Sequence, residues 1–593
     1  MASNSGDVAM GSSGDPSNNN SNISTEGLPP LDTGRERHVL QRREELRFEV
    51  TFGGSASSTL SNASGTTSFC LQKGSCELYG CELALGKTYT IAHGGIKAAL
   101  FTWHGCVIDL GVADDGEGSS SAGVDFFSYT SDETDTNVTF VNTHAQLEAL
   151  RDDAAAANAS NNNNNNNSNS NSNATQNDSP EHNGQGPRVM VVGPPECGKT
   201  TLAKTLVAYA CKVGRTPLYV DLDPMDNSIS VPGSLAVAPM HQSAVSVETY
   251  ATTGLPIHGG GASVGAGNSN SNNNNNNSGS TTVHPLVVYH GSTEKLHPDL
   301  FRGQVDSMAE RIEARLRADD MARSSGIIVN TNGWIRDEGY ECLLHAAKVL
   351  KISVLLVLGH DRLYSMLTSH YKKQQKQRDE ASANAAEGEG AASSSSLSLP
   401  PPPPKLLKLP RSGGAVSRQS RFVASCRSRA VKRYFYGDLV ADTKETGADD
   451  PAVAAAAGKA YRLANQLTPF AVQVPFGEAR VYKVSSMALS NSLLPVNAAH
   501  QSTDAIQLAE VDIVGDLEAA KGLQHALLAV CHPSAVEAYE ASGVGRDLVT
   551  AGVAGFCAVD KVVTETDQLH LLSPCAGGLP SKTFVVGDIT WME

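Results

Sequence analysis

The sequence is poor in aromatic residues and has no long apolar run. Aromatic side chains account for 5% of the 593 residues. The longest apolar run near the middle of the chain, residues 352–358, is far below the roughly 20 residues that a membrane-spanning helix needs. Residues 1–30 are rich in Ser, Asn, Gly and Asp and lack the charged and then apolar pattern of a secretory signal. These absences predict a protein without a membrane span, located in the cytosol or the nucleus.

Positive charge and metal-ligand spacing are also lacking. The formal net charge is −16, which disfavours a protein-wide electrostatic grip on nucleic acid because phosphate contacts need clustered Lys and Arg. The 11 cysteines do not show the C-x2-C spacing of a zinc site, and Cys70, Cys76 and Cys81 come nearest to it. We therefore expect reduced, mostly buried thiols, and RNA contacts that are local.

The chain is too long for one hydrophobic core, since single cores stop growing near about 250 to 300 residues. Polar low-complexity tracts interrupt it, and such tracts bury too little apolar surface to offset chain entropy. The expected organisation is a disordered segment 1–36, an N-terminal β domain 37–150, an Asn-rich linker 151–186, a P-loop domain 187–440 with disordered inserts near 259–282 and 373–404, and a C-terminal β domain 465–593.

Hydrophobic patterns indicate the fold of each part. Alternating segments at 46–52 and 98–103 lie between Gly-rich turns and predict an antiparallel β domain. After about residue 469, strand-like segments return and predict a third, mostly β domain. Between them, near-continuous apolar strands alternate with helical patterns, which is typical of a parallel sheet. These strands are 189–192, 218–221, 327–330 and 354–358.

The predicted fold class is therefore α/β, with a central P-loop NTPase domain that has a mostly parallel sheet. A β-sandwich-like domain precedes it and a mostly β domain follows. Apolar residues at helical spacing supply a crossover helix between the second and third central strands. These residues are Val305, Met308, Ile312 and Leu316.

The segment GPPECGKT at residues 193–200 matches a P-loop, or Walker A motif. It follows a buried strand and precedes a helical pattern at 202–210, which is the context that a phosphate-binding loop requires. Backbone N–H groups would cradle the phosphates, Lys199 would add positive charge and the Thr200 hydroxyl would bind Mg²⁺. The alternative is a chance Gly-rich turn. The predicted nucleotide-binding residues here are Gly193, Glu196, Cys197, Gly198, Lys199, Thr200 and Thr201.

Two further strands end in candidate site residues. The second strand runs into Asp221 and Asp223, and a carboxylate beside the P-loop can bind Mg²⁺ or accept a hydroxyl proton. The alternative is an Asp that only caps the turn at Pro224. The third strand runs into Trp334, which either stacks on a base or packs against its neighbours. The sequence by itself therefore nominates Asp223 and Trp334 as candidate site residues and leaves these alternatives open.

The nucleotide and a possible lid follow from the last central segments. A guanine-specific N/TKxD motif is missing after the fourth strand, where the sequence reads GHDR, so ATP is expected rather than GTP. Downstream, SGG at 412–414 leads into a predicted helix whose basic residues include Arg418, Arg421 and Arg427. This segment, residues 412–433, is called the lid below. It either closes over phosphates or is a solvated basic face.

Several motifs in this order resemble the RNA 5′-hydroxyl kinases that are subunits of the pre-mRNA 3′-end cleavage and polyadenylation factor. The resemblance covers nearly all of the chain outside the low-complexity tracts. The motifs are ELRFEV at 45–50, FTWHGC at 101–106, the P-loop, DLD at 221–223, VPG at 231–233, VNTNGW at 329–334, SGG at 412–414, YFYG at 434–437 and GDITW at 587–591.

The resemblance implies roles for individual residues. The N-terminal domain would touch the adenosine through Glu45 and Lys97. Lys199 and Thr200 would bind phosphates and Mg²⁺, Asp223 would act on the RNA hydroxyl, and Trp334 would clamp a base. Arg418 matches one lid arginine of the family. The implied catalytic residues are Lys199, Thr200, Asp223, Trp334 and Arg418, with Thr200 and Asp223 as metal ligands.

The sequence departs from the family at two places. Val423 stands where the family has a second lid arginine, and DPMD at 223–226 replaces the DxGQ of kinase-active relatives. A missing arginine of this kind lowers phosphoryl transfer by about 10³ to 10⁵ without weakening ATP binding to the same degree. Arg421 or Arg427 is the candidate substitute.

These features leave two main hypotheses. The first is a nuclear subunit of the 3′-processing complex that holds ATP and Mg²⁺ structurally, docks the scaffold subunit of cleavage factor IA, is required for cleavage and meets other subunits and RNA. The second is an active polyribonucleotide 5′-hydroxyl kinase of tRNA splicing or RNA repair. A nucleolar kinase of ribosomal RNA processing ranks last, because it is not expected to contain the FTWHGC and GDITW segments.

Overall fold

A computed structural model of the protein describes most of the chain. The predicted insert near 259–282 and residues 1–24 of the predicted disordered segment lie outside the described residues. The described residues are 25–31, 34–52, 67–91, 96–112, 124–166, 184–251, 284–294, 296–387, 402–437, 439–441, 463–465, 467–485 and 507–592.

The N-terminal domain is a sandwich of two antiparallel sheets. One sheet has the order β1-β8-β3-β6 and the other β5-β4-β7-β2-β9. The rings of Phe48 and Phe69, one from each sheet, lie 6.3 Å apart between their centroids. The inner faces therefore form one apolar core. The strands are β1 (Arg35–Leu40), β2 (Glu45–Phe52), β3 (Thr67–Gly74), β4 (Glu77–Leu78), β5 (Cys81–Glu82), β6 (Thr88–Ile91), β7 (Ile96–Phe101), β8 (Cys106–Val112) and β9 (Val124–Ser131).

The first strand begins inside the segment that the sequence predicted to be disordered. Residues 35 and 36 belong to β1, which pairs with β8. Arg37 donates to the buried carboxylate of Asp109 at 2.7 and 2.8 Å. The prediction for 34–36 was wrong because the sequence RERHVL shows no apolar alternation, and its strand is stabilised by a distant ion pair.

A long helix, α1 (Asp135–Asn166), follows the sandwich. The predicted boundary at residue 150 therefore falls inside a helix, and the predicted linker at 151–186 begins as packed structure. Arg151 is fully buried and its Nε donates to the carbonyl of Ser325 at 2.9 Å. Asn158 donates to the carbonyl of Gly184 at 2.8 Å. The polar composition led to the wrong prediction of a linker, because the contacts that order this segment are made with residues far away in the chain.

The central domain is a seven-stranded sheet of order β13-β12-β11-β14-β10-β15-β16. Five neighbouring strands, β11, β14, β10, β15 and β16, are parallel to one another. At one side of them, β12 pairs antiparallel with β11, and the edge strand β13 pairs antiparallel with β12. The four predicted strands are confirmed, whereas β12, β13 and β16 were not predicted. The strands are β10 (Arg188–Val192), β11 (Leu218–Leu222), β12 (Ser234–Pro239), β13 (Leu286–Tyr289), β14 (Ile327–Thr331), β15 (Val354–Leu358) and β16 (Lys405–Leu409).

Helices cover the faces of this sheet. Val305, Met308, Ile312 and Leu316 are buried on one face of the third helix, which confirms the predicted crossover. A 3₁₀ turn at Gln242–Ala244 and a π turn at Val247–Ala251 follow β12. The helices are α2 (Lys199–Lys212), α3 (Pro298–Ala318), α4 (Asp320–Ser325), α5 (Asp337–Val349), α6 (Asp361–Glu387) and α7 (Ser420–Tyr436).

The insert predicted at 373–404 is helical in its first part, because α6 continues to Glu387. Residues 372–380 are mostly exposed, so core packing does not extend the helix there. Side-chain pairs within the helix stabilise it instead. Gln375 donates to Asp379 at 2.7 Å, and Lys376 lies 3.7 Å from Glu380. Pairs at i,i+4 between strong helix formers stabilise an exposed helix.

The C-terminal domain is a seven-stranded sheet of order β19-β24-β23-β22-β25-β20-β21 with three short helices. A small hairpin of β17 (Leu439–Ala441) and β18 (Leu463–Asn465) precedes it. The elements are β19 (Phe470–Pro475), a 3₁₀ turn (Phe476–Glu478), β20 (Arg480–Ser485), β21 (Gln507–Val511), α8 (Leu517–Lys521), β22 (Ala526–Cys531), α9 (Pro533–Ser542), α10 (Gly545–Val549), β23 (Val553–Val563), β24 (Gln568–Ser573) and β25 (Thr583–Thr590).

This domain packs on the central domain around the end of α7. Trp591 stacks on Phe435 with 5.5 Å between ring centroids, and the Tyr434 hydroxyl accepts from the N–H of Phe556 at 3.0 Å. A Cβ at Gly587 would lie 1.9 Å from the carbonyl oxygen of Gly291, so only glycine permits this close approach. The contacts of Tyr434 and Phe435 hold the end of α7, immediately after the lid, against the C-terminal domain. Among the described residues, none of the helices has the length and apolar character that crossing a membrane requires.

Candidate functional site

One cavity of about 780 Å³ lies where the N-terminal sandwich, the P-loop and the lid meet. Ten of the predicted site residues line it, and the described residues Gly193 and Trp334 do not. The lining therefore joins segments that are far apart in the sequence. The ten residues are Glu45, Lys97, Glu196, Cys197, Gly198, Lys199, Thr200, Thr201, Asp223 and Arg418.

The P-loop connects β10 to α2 in a tight backbone curl. Glu196 and Gly198 have positive φ angles of 58° and 97°. A Cβ at Gly193 would lie 2.8 Å from the Cys197 sulfur and 2.9 Å from the carbonyl oxygen of Leu358. Gly193 therefore acts from behind the loop by letting it sit against β15. The first residues of α2, Lys199 to Thr201, line the cavity, and a helix N-terminus placed in this way can bind anions.

Lys199 lies within this curl. Its side chain is buried, and its Nζ donates to the carbonyl of Pro194 at 2.7 Å. Burial lowers the pKa of Lys199, and the positive charge of Arg418 lowers it further, while Asp223 and Asp221 oppose the shift. A bound phosphate would add negative charge beside this desolvated ammonium group and would favour its charged form.

Asp221 and Asp223 have different roles at the end of β11. Asp221 is fully buried, and its carboxylate accepts hydrogen bonds from Asn330 and from the backbone and hydroxyl of Ser228 at 2.6 to 3.0 Å. Its oxygens are occupied within the fold, which fits the structural alternative. Asp223 lines the cavity. Loss of solvation raises the pKa of Asp223 to about 7, and the negative charges of Asp221 and Asp226 add to the shift.

The oxygen atoms beside Thr200 suit a hard cation. Asn330 donates from Nδ2 to the Thr200 hydroxyl at 3.2 Å, while its Oδ1 is buried without a hydrogen-bond partner in the described part of the chain. Mg²⁺ takes oxygen ligands and keeps several waters, and Thr200 and Asp223 both line the cavity and carry such oxygen groups. The residues present therefore fit Mg²⁺ held by Thr200 and Asp223. Asn330 was missed, and its position at the end of the strand next to the P-loop was the available signal.

The sandwich contributes the opposite wall. Glu45 is buried, its Oε1 accepts from Arg47 Nε at 2.5 Å, and burial raises the pKa of Glu45. Lys97 pairs with Glu49 at 2.9 Å, and its Nζ lies 5.3 Å from the ring centroid of Phe422 in the lid. Glu45 and Lys97, which the family resemblance implied, therefore face the P-loop across the cavity.

Sequence reasoning missed two residues at the far end of the cavity. Lys204 of α2 lies over the rings of Tyr79 and Tyr250, at 5.2 and 5.0 Å from their centroids. Loss of solvation lowers the pKa of Lys204 to about 8. Tyr79 adopts a positive φ of 50°, and its hydroxyl donates to the carbonyl of Lys97 at 3.1 Å. No local pattern signals either residue, because their proximity depends on the docking of the sandwich.

The lid crosses the cavity with its N-terminal turn against the sandwich. Gly413 lies next to Glu133 of the sandwich, because a Cβ at this position would be 2.2 Å from the end of that side chain. Arg418 precedes α7 and is not on the helix, which corrects the prediction. Val423 and Arg427 line the cavity, whereas the described residue Arg421 does not. Of the two candidate substitutes for the missing arginine, Arg427 has the suitable position.

Trp334 is half-buried on a loop that borders the cavity through Gly333. Its N–H donates to Asn332 Oδ1 at 3.0 Å. A Cβ at Gly339 would lie 2.6 Å from the Trp334 Cβ, so α5 packs tightly beneath the loop. The role of Trp334 as a base platform stays a prediction.

Family models match all three domains of the chain. Residues 193–386 match the mRNA cleavage and polyadenylation factor CLP1 P-loop, and 467–593 match the pre-mRNA cleavage complex II protein Clp1. Residues 39–154 match the N-terminal beta-sandwich domain of polyadenylation factor. The chain belongs to the CLP1 family. This confirms the resemblance seen in the sequence motifs and places the protein among pre-mRNA cleavage factors.

CLP1 relatives align with the chain from end to end. The protein CLP1 homolog of Arabidopsis thaliana is 28% identical over 571 residues, which are 96% of this chain and 96% of the relative. The homolog of Culex quinquefasciatus is 27% identical over 94% of this chain and 98% of its own length. The polyribonucleotide 5′-hydroxyl-kinase Clp1 of Homo sapiens is 28% identical over 93% of this chain and 96% of the relative.

A solved structure shares the CLP1 fold of this chain. It is the wild-type Clp1p–Pcf11p complex, with a TM-score of 0.61 and 19% sequence identity, and the match covers 95% of this chain and 99% of that one. At this identity the likeness concerns the fold. It confirms the predicted architecture of a central P-loop domain flanked by two β-rich domains.

Proposed function

We propose that this CLP1 protein is an ATP-binding subunit of the pre-mRNA 3′-end cleavage and polyadenylation complex, in which Mg²⁺-bound ATP acts structurally. The observation that supports this proposal is the composition of the cavity wall. Glu45 and Lys97 of the sandwich face Lys199 and Thr200 of the P-loop across one cavity. A nucleotide bound there contacts two domains at once and strengthens their docking.

The energy available from such binding is substantial. A ligand that binds only the folded state at 100 times its dissociation constant stabilises that state by about 2.7 kcal/mol. This is a large part of the stability of an ordinary domain. An intact P-loop is therefore useful to an assembly subunit even when ATP is not consumed.

The residues of the lid favour the hypothesis that ATP is retained and not consumed. Val423 lines the cavity where the family resemblance places an arginine, so a charge that would stabilise the transferring phosphoryl group is missing at this position. Arg418 and Arg427 are close to Asp226, at 2.5 and 3.5 Å. Part of their charge is thereby already neutralised within the chain.

The partner and the location follow from the same family. The relative of known structure is in complex with Pcf11p, and we infer that this chain docks the corresponding scaffold subunit of cleavage factor IA through its P-loop domain. Other 3′-processing subunits and a local stretch of RNA complete the proposed surroundings. Pre-mRNA cleavage takes place in the nucleus, which is the location that we propose.

One observation favours the second hypothesis, an active RNA 5′-hydroxyl kinase. Asp223 lines the cavity with a pKa of about 7, and a general base is most effective when its pKa lies near the working pH. The human relative is named polyribonucleotide 5′-hydroxyl-kinase Clp1. In this hypothesis Asp223 accepts the proton of the RNA hydroxyl, and Arg418 stabilises the developing charge.

A phosphate-transfer assay distinguishes the two functions. Purified wild type and Val423→Arg are incubated with ATP labelled at the γ-phosphate and a 5′-hydroxyl RNA oligonucleotide, and the bound nucleotide is quantified. The proposal expects retained ATP and no transfer by the wild type. Transfer by the wild type at a rate similar to that of the variant would establish the kinase instead.

A second variant tests whether ATP supports assembly. Lys199→Ala combined with Thr200→Ala is expected to lower ATP affinity by at least about a hundredfold, because it removes the buried ammonium group and the Mg²⁺ ligand. Binding to the scaffold subunit should weaken in parallel. Lys212→Ala is the matched control, since Lys212 lies at the end of the same helix and pairs on the surface with Glu82. Unchanged scaffold binding by the ATP-free variant would refute the structural role.

A further inference from the structure

The lid is held over the P-loop by two carboxylates of the central domain. The Arg418 N–H donates to Glu196 Oε1 at 2.8 Å, and its guanidinium Nη2 lies 2.5 Å from Asp226 Oδ2. Arg427 donates from Nε to the carbonyl of Met225 at 3.0 Å and lies 3.5 Å from Asp226 Oδ1. Asp226 thus contacts two lid arginines, one before α7 and one within it.

These groups share the phosphate end of the cavity. Lys199, Asp223, Asp226, Arg418 and Arg427 all line it. The charge of Arg418 is near enough to Lys199 to lower the pKa of that lysine. The charge of Asp226 raises the pKa of Asp223. Because a P-loop lysine reaches the β- and γ-phosphates, Arg418 and Asp226 flank the place of the terminal phosphate.

We propose that Asp226 is a positioning residue that occupies the lid arginines in place of the γ-phosphate and thereby sets the preference of the site between ATP and ADP. The proposal rests on the proposed function in one respect, namely that this cavity binds adenine nucleotides. The γ-phosphate of ATP must draw Arg418 away from Asp226. It also comes close to the negative carboxylate of Asp226, which repels it. ADP, which ends one phosphate earlier, disturbs this ion pair less.

The pair is accessible enough to exchange partners. The side chains of Arg418 and Asp226 are 33% and 24% exposed. Ion pairs of this exposure are weak compared with fully buried ones, because solvent and salt screen them. A phosphate oxygen forms charge-assisted hydrogen bonds with a guanidinium group and carries more charge than one carboxylate. The exchange is therefore a balance that one substitution can shift.

The test compares nucleotide affinities of the full chain. Asp226→Asn keeps the shape of the side chain and removes its charge. We expect ATP affinity to rise by about threefold to tenfold and ADP affinity by less than about twofold, measured with Mg²⁺ by titration calorimetry. Asp226→Glu keeps the charge and should therefore have the same ratio of ATP affinity to ADP affinity as the wild type.

A matched control separates this effect from general electrostatics. Glu49→Gln removes a carboxylate from the opposite wall of the same cavity, where it pairs with Lys97. It should change ATP and ADP affinities by the same factor. If Asp226→Asn also changes both equally, or weakens ATP binding, the positioning role of Asp226 is wrong.

Amide hydrogen exchange tests the contact without nucleotide. Asp226→Asn should accelerate exchange at residues 411–419 of the nucleotide-free protein, whereas Asp226→Glu and Glu49→Gln should not. This arm distinguishes the two failures. If the wild type binds neither nucleotide, the proposed function fails while the exchange still reports on the lid. Unchanged exchange in Asp226→Asn would overturn the inference even if ATP binds.

Discussion

The two sides of the phosphate site are built in different ways. The P-loop side is backbone geometry fixed by packing, with Gly193 pressed against Cys197 and Leu358. The lid side is a set of charged side chains, in which Arg418 meets Glu196 and Asp226 across the cavity. Packing is intolerant of added atoms, whereas partly exposed ion pairs respond gradually to charge, pH and salt.

The difference between the two sides indicates which substitutions the chain can accept while it still binds a nucleotide. A change in the P-loop alters the cradle itself, which every bound nucleotide needs. A change in the lid arginines alters side chains that flank the proposed place of the terminal phosphate and leaves the cradle intact. Two residues depart from the family. Val423 lies in the lid and lines the cavity, and Asp226 forms an ion pair with the lid residue Arg418. They fit a protein that keeps ATP and loses transfer.

Among the changes that test this comparison, the largest effect is expected from the single substitution Gly193→Ala on the packed side. The added Cβ would meet a sulfur at 2.8 Å and a carbonyl oxygen at 2.9 Å, so the loop must shift. We expect ATP affinity to fall by about tenfold to a hundredfold, since overpacking a tight site costs about 1 to 3 kcal/mol. Calorimetric titration and thermal unfolding measure both consequences.

The control for this prediction is Gly477→Ala. Gly477 lies in the 3₁₀ turn of the C-terminal domain, and its added Cβ meets no described heavy atom within 4 Å. ATP affinity and the unfolding temperature should stay as in the wild type. Equal losses in the two variants would show that the packed loop is not specially sensitive.

An intermediate effect is expected when the pH is changed. The group responsible is the carboxyl of Asp223, which lies between the P-loop side and the lid side. Its pKa is raised to about 7 in the folded protein, so the folded state keeps a proton that the unfolded chain releases above its ordinary carboxyl pKa. Stability of the nucleotide-free protein should therefore fall as pH rises from about 4 through about 7. Thermal unfolding across this range measures it.

Binding of Mg²⁺ and ATP should follow the opposite direction. The metal needs the ionised carboxylate, so affinity should rise by up to about tenfold between about pH 6 and about pH 8. Asp223→Asn is the control, because it retains the titration of the nucleotide itself and lacks that of the side chain. A wild-type profile that matches the profile of the variant would contradict the assigned role of Asp223.

The smallest effect is expected from Arg418→Met, which tests the ionic side. Removing this partly exposed charge should lower ATP affinity by about threefold to fivefold, and high salt should reduce the difference. Arg421→Met is the matched variant, since Arg421 belongs to the same basic segment and does not line the cavity. A loss for Arg418→Met as large as that for Gly193→Ala would remove the distinction between the two sides.

Much of the fold was predictable because its signals are local. Apolar runs revealed β10, β11, β14 and β15, and helical spacing revealed α3. The strands β12 and β13 were missed because SLAVAP and LVVY are short and resemble buried helix segments as much as strands. The helix α1 was missed because its polar residues are buried by a neighbouring helix and not by their own pattern.

The candidate site divides in the same way. The P-loop residues follow from a motif, and Asp223 follows from its place at a strand end. Glu45 and Lys97 were nominated by family resemblance, and Asn330 could have been found from its place at a strand end, while Arg47, Tyr79 and Lys204 had no comparable signal. Their roles depend on which surfaces meet, and a pattern within one segment carries no information about that.

The sequence by itself therefore determined the family, the parallel core and the phosphate-binding loop, because each depends on residues that are neighbours in the chain. The tertiary structure alone decided that Arg418 lies against Asp226, a contact that joins residues 192 positions apart. It also decided which arginines reach the cavity. Ion pairs are weakly specified by sequence because any of several charges can satisfy a carboxylate, and only the packing of the domains selects one.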